Sequence, residues 1–121
     1  MDRIEKAALL KRSNNCCQAV LLAYADALGM SEEELTKLGK TFGAGMGGMQ
    51  ATCGALVGAG MVLGLLGGSM PQARALHQSF TELCGASVCQ DIKGVRTGKV
   101  LCSCEDCVKN AVKALEAILH S

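Results

Sequence analysis

The sequence predicts an all-α fold, a compact bundle of about six helices around a buried glycine-rich central helix. Apolar residues recur at helical spacing almost throughout, and Ala- and Leu-rich segments alternate with breaks at Gly, Ser or Asn. Proline occurs once, at Pro71, and runs of β-branched residues are absent. With 121 residues, half of them apolar, the chain fits a single domain, residues 1–121, that can form a core without disulfide bonds.

Local signals place the ends of the helices. Ser31 and Glu34 have the spacing of a capping box, Gly29 ends the preceding segment, and Pro71 suits a first helical position. We also expect a loop over Lys93–Leu101, which contains two glycines. The predicted elements are about residues 2–12, Cys16–Leu28, a third helix from Ser31, Cys53–Leu66, a fifth helix from near Pro71, a short turn over Val88–Lys93 and a last helix from Cys104.

The fourth predicted helix lies in an unusual stretch. Thr41–Ala73 contains no charged residue and ten glycines. A helix that is apolar all round is buried in a core or in a membrane, and this apolar run is shorter than the ~20 residues that span a bilayer. We therefore expect a buried helix and no membrane. Its glycine pairs, Gly54 with Gly58 and Gly60 with Gly64, allow close helix contact, and the apolar surface favours a homodimer through this helix.

Composition argues against nucleic acid and nucleotide ligands. The net charge is +1, and no basic cluster or aromatic platform is present to bind a phosphate backbone or stack on bases. Gly43–Gly48 satisfies the GxGxxG pattern, but a helix rather than a strand precedes it, and no acidic residue occurs between Glu34 and Glu82. We expect this segment to be a tight loop that packs backbone against backbone or donates N–H groups to a nearby site.

The chain contains eight cysteines, a density that needs a chemical reason. The segment Met1–Lys11 is charged and amphipathic and does not have the pattern of a signal peptide, so we expect a cytoplasmic protein. In a reducing cytosol, cysteines at this density serve metals or redox chemistry more often than disulfide frameworks.

Four cysteines are predicted to lie at helix starts, because residues typical of helix caps precede them. A helix N-terminus carries about half a positive charge and free N–H groups, which favour thiolate over thiol and lower the cysteine pKa. Four such starts in one place would suit an iron–sulfur cluster, whose sulfurs gain from N–H donors. The four candidate site residues are Cys16, Cys53, Cys89 and Cys104, and their predicted caps are Asn15, Thr52, Ser87 and Ser103.

The other four cysteines, Cys17, Cys84, Cys102 and Cys107, are treated as accessory residues. Two alternatives remain open for them. The five cysteines within Cys84–Cys107 could bind zinc or a cluster on their own. Cys104–Cys107 also has the CxxC spacing of a redox dithiol at a helix start.

Several stretches together carry a family pattern: Asn15–Asp26 with its paired cysteines, Phe42–Gly47, Cys53–Gly58 followed by Met61–Leu65, Cys89–Gly94, and Cys104 with Val108 and Ala111. On these stretches the chain resembles the C_GCAxxG_C_C family of redox-active proteins, over nearly its whole length. The central motif reads Cys-Gly-Ala-x-x-Gly here, so its order differs slightly from the family label. The resemblance implies a redox role rather than a particular reaction, and it carries over only to Cys16, Cys53, Cys89 and Cys104.

Three functions are compatible with these residues. The first is an electron carrier or sensor that binds an iron–sulfur cluster and meets a redox partner protein of unidentified nature. The second is a thiol–disulfide redox protein without metal, and the third is a structural zinc module. The first two are favoured, because zinc sites usually take close ligand pairs and the four main cysteines come from distant helices.

Overall fold

The computed structural model describes residues 1–121 and contains helices without any β-sheet. The all-α prediction is confirmed. Eight α-helices and one wide turn, Gly45–Met49, follow one another along the chain. The helices are α1 (Arg3–Leu10), α2 (Cys16–Ala23), α3 (Ala25–Leu28), α4 (Glu32–Gly39), α5 (Gly54–Leu65), α6 (Met70–Cys84), α7 (Cys89–Lys93) and α8 (Cys104–Leu119).

The second predicted helix is divided in two at Tyr24, whose backbone leaves helical geometry at φ −112° and ψ 13°. Tyr24 is buried, its hydroxyl donates to a Glu116 carboxylate oxygen at 3.1 Å, and the Arg3 guanidinium lies 4.5 Å from its ring centre. These contacts join α1, α2 and α8. The α-helices number eight rather than six because this break, which the local pattern does not show, adds one, and the short turn predicted over Val88–Lys93 forms α7.

Capping signals are confirmed at two predicted starts. Ser31 and Glu34 form both hydrogen bonds of a capping box at α4. At α6, Ser69 caps the helix together with Gln72, and Pro71 lies in the first turn. Such caps satisfy N–H groups that the helix itself leaves unpaired.

The core lies between α2, α5 and α8, with α1, α4 and α6 packed around them. Every residue of α2 except Gln18 is buried. The spacing of apolar residues after Cys104 predicts one apolar stripe along the last helix, namely Val108, Ala111, Val112, Leu115, Ile118 and Leu119. This stripe of α8 faces the core, and Val108, Ala111, Val112 and Leu115 are fully buried. The interior is built from small aliphatic side chains, so backbones approach closely.

The glycine-rich helix α5 uses only one of its two glycine pairs for such an approach. A Cβ at Gly54 would lie 2.6 Å from the Phe42 carbonyl oxygen, and one at Gly58 would lie 2.9 Å from the Cys17 carbonyl oxygen. At Gly60 and Gly64 a Cβ would meet no atom within 4 Å. One side of α5 is thus packed against α2, and the other side is open. None of the helices combines the length and the apolar character needed to cross a membrane.

We predict opposite effects for alanine at two glycines of the same helix. Gly58→Ala should destabilise the fold by about 1–3 kcal/mol, because the new methyl group overlaps the α2 backbone. Gly60→Ala, with open space around it, should stabilise by roughly 0.5–1 kcal/mol through helix propensity. Urea unfolding measures both changes in free energy. Equal destabilisation by the two substitutions would contradict the packing described for α5.

Candidate cysteine site

The four predicted site cysteines lie at helix starts. Cys16, Cys89 and Cys104 are the first residues of α2, α7 and α8, and Cys53 is the residue that caps α5. We call these four the helix-start cysteines. Their position at the helix ends is confirmed, with Cys53 one residue earlier than the first helical turn.

The predicted caps are only half right. Asn15 and Ser103 accept the expected hydrogen bonds from the backbone of α2 and α8. Thr52 and Ser87 do not cap α5 and α7. Instead, the two backbone segments that contain them run antiparallel and are hydrogen-bonded to each other just before α5 and α7 begin.

Two backbone hydrogen bonds of this pairing hold the starts of α5 and α7 together. The N–H of Cys53 donates to the Ser87 carbonyl oxygen at 2.8 Å, and the N–H of Cys89 donates to the Ala51 carbonyl oxygen at 3.0 Å. They flank a single antiparallel bridge. Two cysteines that are distant in sequence are therefore positioned by the same local structure.

The glycine loop before α5 packs onto this pairing. Gly45 has a positive φ of 57°, and a Cβ there would lie 2.8 Å from the Cys89 Cβ. A glycine is required because the backbone of the wide turn presses directly against the cysteine. The prediction of a tight loop that packs at the site is confirmed, and no strand precedes the loop as nucleotide binding would need.

The helix-start cysteines influence one another. The Cys16 thiol points at the Cys104 carbonyl oxygen, at 4.0 Å, and forms a hydrogen bond with the Cys104 side chain. A negative charge on Cys53 or on Cys104 raises the pKa of the Cys16 thiol and that of the Cys89 thiol. The sharing of one metal centre by all four sulfurs stays a prediction.

The three cysteines that lie closest together are ones that the sequence suggested only as accessory residues. The sulfurs of Cys84, Cys102 and Cys107 are all within 4.8 Å of one another and all three residues are buried. We call them the thiol triad. The Asn110 amide nitrogen lies 3.3 Å from the Cys84 sulfur and 3.6 Å from the Cys102 sulfur. Three buried cysteines are thus close enough to bind a metal ion together.

This grouping falls within the alternative that assigned a site to Cys84–Cys107. The CxCxxC spacing that ends at Cys107 was the sequence signal for two of its members. Cys84 and Asn110 had no such signal, because the packing of α6 on α8 brings them there.

Cys107 joins the two groups. Its thiol is hydrogen-bonded to Cys53, a helix-start cysteine, and to Cys84, a triad member. Because a thiol has one proton, Cys107 donates to only one of these sulfurs at a time. All eight cysteines are free thiols in the structure.

Lys93 supplies a positive charge in this sulfur-rich region. Its ammonium donates to the Cys102 carbonyl oxygen at 2.9 Å and lies 3.8 Å from the Cys107 sulfur. Burial by itself lowers the pKa of Lys93. The interaction of the ammonium with negative charge on Cys107 and Cys104 is larger, so the pKa of Lys93 is raised. Lys93 therefore stays protonated and favours thiolates around it.

Two thiols have a lowered pKa. A hydrogen bond from Cys107 is the largest cause for each, and it serves one of the two sulfurs at a time. Where it is made it outweighs burial and brings the pKa of Cys53 to about 7 or that of Cys84 to about 6. At Cys53 the N–H groups of Ala55 and Leu56 add to the effect, which is the expected action of a helix start. Cys84 lies at the C-terminal end of α6, so hydrogen bonding rather than the helix dipole accounts for its thiolate.

The expectation of lowered pKa values is wrong for two helix-start cysteines. Burial raises the pKa of Cys16 to about 12 and also raises that of Cys89, and neighbouring thiols add to both shifts. Burial likewise raises the pKa of Cys17 to about 12. Where no N–H, ammonium or thiol group donates a hydrogen bond to the sulfur, the cost of burying the thiolate is larger than the stabilisation that a helix start gives it. The pKa of such a cysteine is therefore raised.

Only Cys104 among the eight is exposed. It lies in an open groove with Lys11 and Arg12 of the neighbouring segment, beside Glu105. The region of the cysteines is thus buried except at this one thiol, which has basic side chains at its rim.

A family model described as "Putative redox-active protein (C_GCAxxG_C_C)" matches residues 14–118. The chain belongs to this family. The matched range contains every cysteine of this C_GCAxxG_C_C protein, the helix-start cysteines and the thiol triad included. Neither the curated proteins nor the solved structures gave a match.

We predict that the stability of the reduced, metal-free protein rises and then falls with pH. The folded state keeps Cys84 as a thiolate down to about pH 6, whereas the unfolded chain protonates it below about pH 9, so stability is lost as the pH falls from about 9 to about 6. The folded state keeps Cys17 as a thiol up to about pH 12, so stability is also lost as the pH rises above about 9. Urea unfolding at a series of pH values measures both slopes.

Two variants separate the contributions. Cys84→Ala should reduce the acid slope, to which Cys53 also contributes, and leave the alkaline slope; Cys17→Ala should reduce the alkaline slope, to which Cys16 also contributes, and leave the acid slope. A profile that keeps both slopes in both variants would show that other groups cause them.

Proposed function

We propose that this family member is a redox protein that binds an iron–sulfur cluster through Cys16, Cys53, Cys89 and Cys104 and serves electron transfer or sensing. The observation that carries the proposal is the position of these four residues at four helix starts within a chain of a redox-active family. Their mutual influence, including the contact between Cys16 and Cys104, supports a common site.

The chemistry of the donors fits such a group. Iron–sulfur clusters are held by cysteine thiolates and are stabilised by N–H donors to their sulfurs. Cys53 provides a thiolate near neutral pH and has the N–H groups of Ala55 and Leu56 directed at it. The Lys93 ammonium offsets part of the negative charge that four thiolates would bring into a buried region.

In this proposal the cluster supplies one-electron transfer, and the chain supplies its surroundings. The buried thiols Cys16, Cys53 and Cys89 keep water away, which tunes the potential. Cys104 reaches the surface beside Lys11 and Arg12, so a redox partner with acidic side chains would approach there. The proposal includes a cytoplasmic location and, through the open side of α5, a homodimer.

A thiol–disulfide activity is the second candidate, because the exposed Cys104 contacts the buried Cys16. Its steps balance as a dithiol oxidation. The Cys104 thiolate attacks a partner disulfide and releases one partner thiolate; Cys16, after losing its proton, attacks the Cys104 sulfur and releases the second. The raised pKa of Cys16, about 12, makes the second step slow, so the cluster is favoured.

We predict that anaerobic reconstitution of the reduced protein with iron and sulfide gives a visible charge-transfer absorption. The chain has no Trp and a single Tyr, so the near-ultraviolet part of this absorption also stands out against a low protein background. Cys53→Ser should abolish this absorption and the associated iron, because the residue is a proposed ligand. Cys17→Ser is the matched control, a buried neighbour outside the proposed ligands, and should retain both.

Equal loss in the two variants would show that the wrong cysteines have been chosen. A wild-type protein that takes up no iron but forms a Cys16–Cys104 disulfide with an added low-molecular-weight disulfide would favour the second candidate instead. Mass spectrometry of the trapped disulfide distinguishes this result.

A further inference from the structure

We propose that the thiol triad, Cys84, Cys102 and Cys107, is a second metal site, which binds Zn²⁺ and fastens the segment after α7 to the helices. It goes beyond the proposed function, because it uses none of the four proposed cluster ligands. In a protein with both sites, the iron–sulfur cluster would transfer electrons and the zinc ion would stabilise the fold.

The spacing of the sulfurs suits this ion. Zinc is bound by thiolates at about 2.3 Å in tetrahedral geometry, which places neighbouring sulfurs about 3.8 Å apart and, with three protein ligands, leaves the fourth position to a water molecule. The three triad sulfurs are already within 4.8 Å of one another. A contraction of at most about 1 Å would bring them to the distance that the ion requires.

The three ligands come from three different parts of the chain. Cys84 is the last residue of α6, Cys102 precedes α8, and Cys107 lies in the first turns of α8. The exposed fractions are 2% for Cys84, 9% for Cys102 and 0% for Cys107. A bound ion would therefore cross-link two helices and the segment between α7 and α8 inside the protein.

The surroundings of the triad have the features of a second coordination shell. The Asn110 amide lies within hydrogen-bond reach of the sulfurs of Cys84 and Cys102, and so orients them. Binding of the cation would displace the protons of the three thiols.

The donor set and the charge select the ion. Three sulfurs without carboxylate or imidazole favour soft cations such as Zn²⁺ and Cu⁺ over hard ones. Three thiolates with Zn²⁺ leave a net charge of −1 near the ammonium of Lys93, which lies 3.8 Å from the Cys107 sulfur. With Cu⁺ the net charge would be −2, which is more costly in a buried place.

The segment between α7 and α8 has little else to hold it. It is not helical, and three of its large apolar side chains are exposed, with exposed fractions of 59%, 60% and 45%. These side chains are Val95, Val100 and Leu101. Besides Cys102, it is held by the hydrogen bond from Lys93 to the Cys102 carbonyl oxygen, by backbone hydrogen bonds from Leu101 to Ile92 and from Val95 to Gln90, and by the approach of Leu101 to Gly85. A metal at Cys102 would stabilise the segment where burial of apolar surface does not.

The test uses the reduced, iron-free full-length protein with Zn²⁺ as the probe, and it measures bound zinc and the rate of trypsin cleavage. Arg96 and Lys99 are exposed trypsin sites within the segment. We expect Zn²⁺ to bind only while the segment between α7 and α8 is in its folded position. Free zinc at about ten times its dissociation constant should then slow cleavage at these residues about tenfold. Cys102→Ser and Cys84→Ser should each lose one equivalent of tightly bound zinc and this protection.

Cys16→Ser and Cys89→Ser are the matched controls, because zinc at the helix-start cysteines would depend on them. Both should keep the protection and the bound equivalent. Circular dichroism verifies that each variant is folded. If Zn²⁺ leaves wild-type cleavage at Arg96 and Lys99 unchanged, or if Cys89→Ser removes the protection as completely as Cys84→Ser, the second site is overturned.

The same variants separate this proposal from the first. Cys84→Ser should still gain the visible absorption on reconstitution with iron and sulfide, because the residue is not a proposed cluster ligand. A Cys84→Ser protein that also fails to take up iron, while folded, would show that the triad belongs to the redox centre and would overturn a separate zinc site. An equivalent bound with Cu⁺ but not with Zn²⁺ would overturn the choice of ion.

Discussion

The close packing of α5 on α2 is the constraint on which the rest of the structure depends. Without a side chain at Gly54 and Gly58, the backbone of α5 lies directly against that of α2 near Cys17. This contact brings the start of α5, with Cys53, beside the start of α2, with Cys16. A bulky residue at either glycine would separate the two helix starts, and with them the cysteines.

The electrostatics of the site result from a competition between burial and hydrogen bonding. Where a sulfur receives a hydrogen bond, as Cys53 and Cys84 do from Cys107, its pKa is lowered. Where it receives none, as at Cys17, burial raises the pKa. Without a metal, the positive charge of Lys93 compensates only a small number of buried thiolates in this region. A bound cation removes this limit, which links metal binding to the protonation of the thiols.

Much of the fold could be predicted because its signals are local. The capping box at Ser31, the proline in the first turn of α6 and the apolar stripe of α8 are each contained within a few helical turns, and the structure confirms them. The break at Tyr24 could not be predicted in this way, because it accompanies contacts with residues far away in sequence. The predicted caps of α5 and α7 were wrong for the same reason: Thr52 pairs with Val88 in a bridge between distant segments, and the Ser87 carbonyl oxygen accepts from the Cys53 N–H.

The sequence by itself determined that the protein is helical, that it is rich in cysteines, and that four of them begin or cap helices. These properties follow from periodicity, residue type and short-range spacing. The tertiary structure alone decided which sulfurs are neighbours, because the triad of Cys84, Cys102 and Cys107 depends on the packing of α6 against α8. It also decided which thiols ionise, since burial and hydrogen-bond donors such as Asn110 act through space and leave no pattern along the chain.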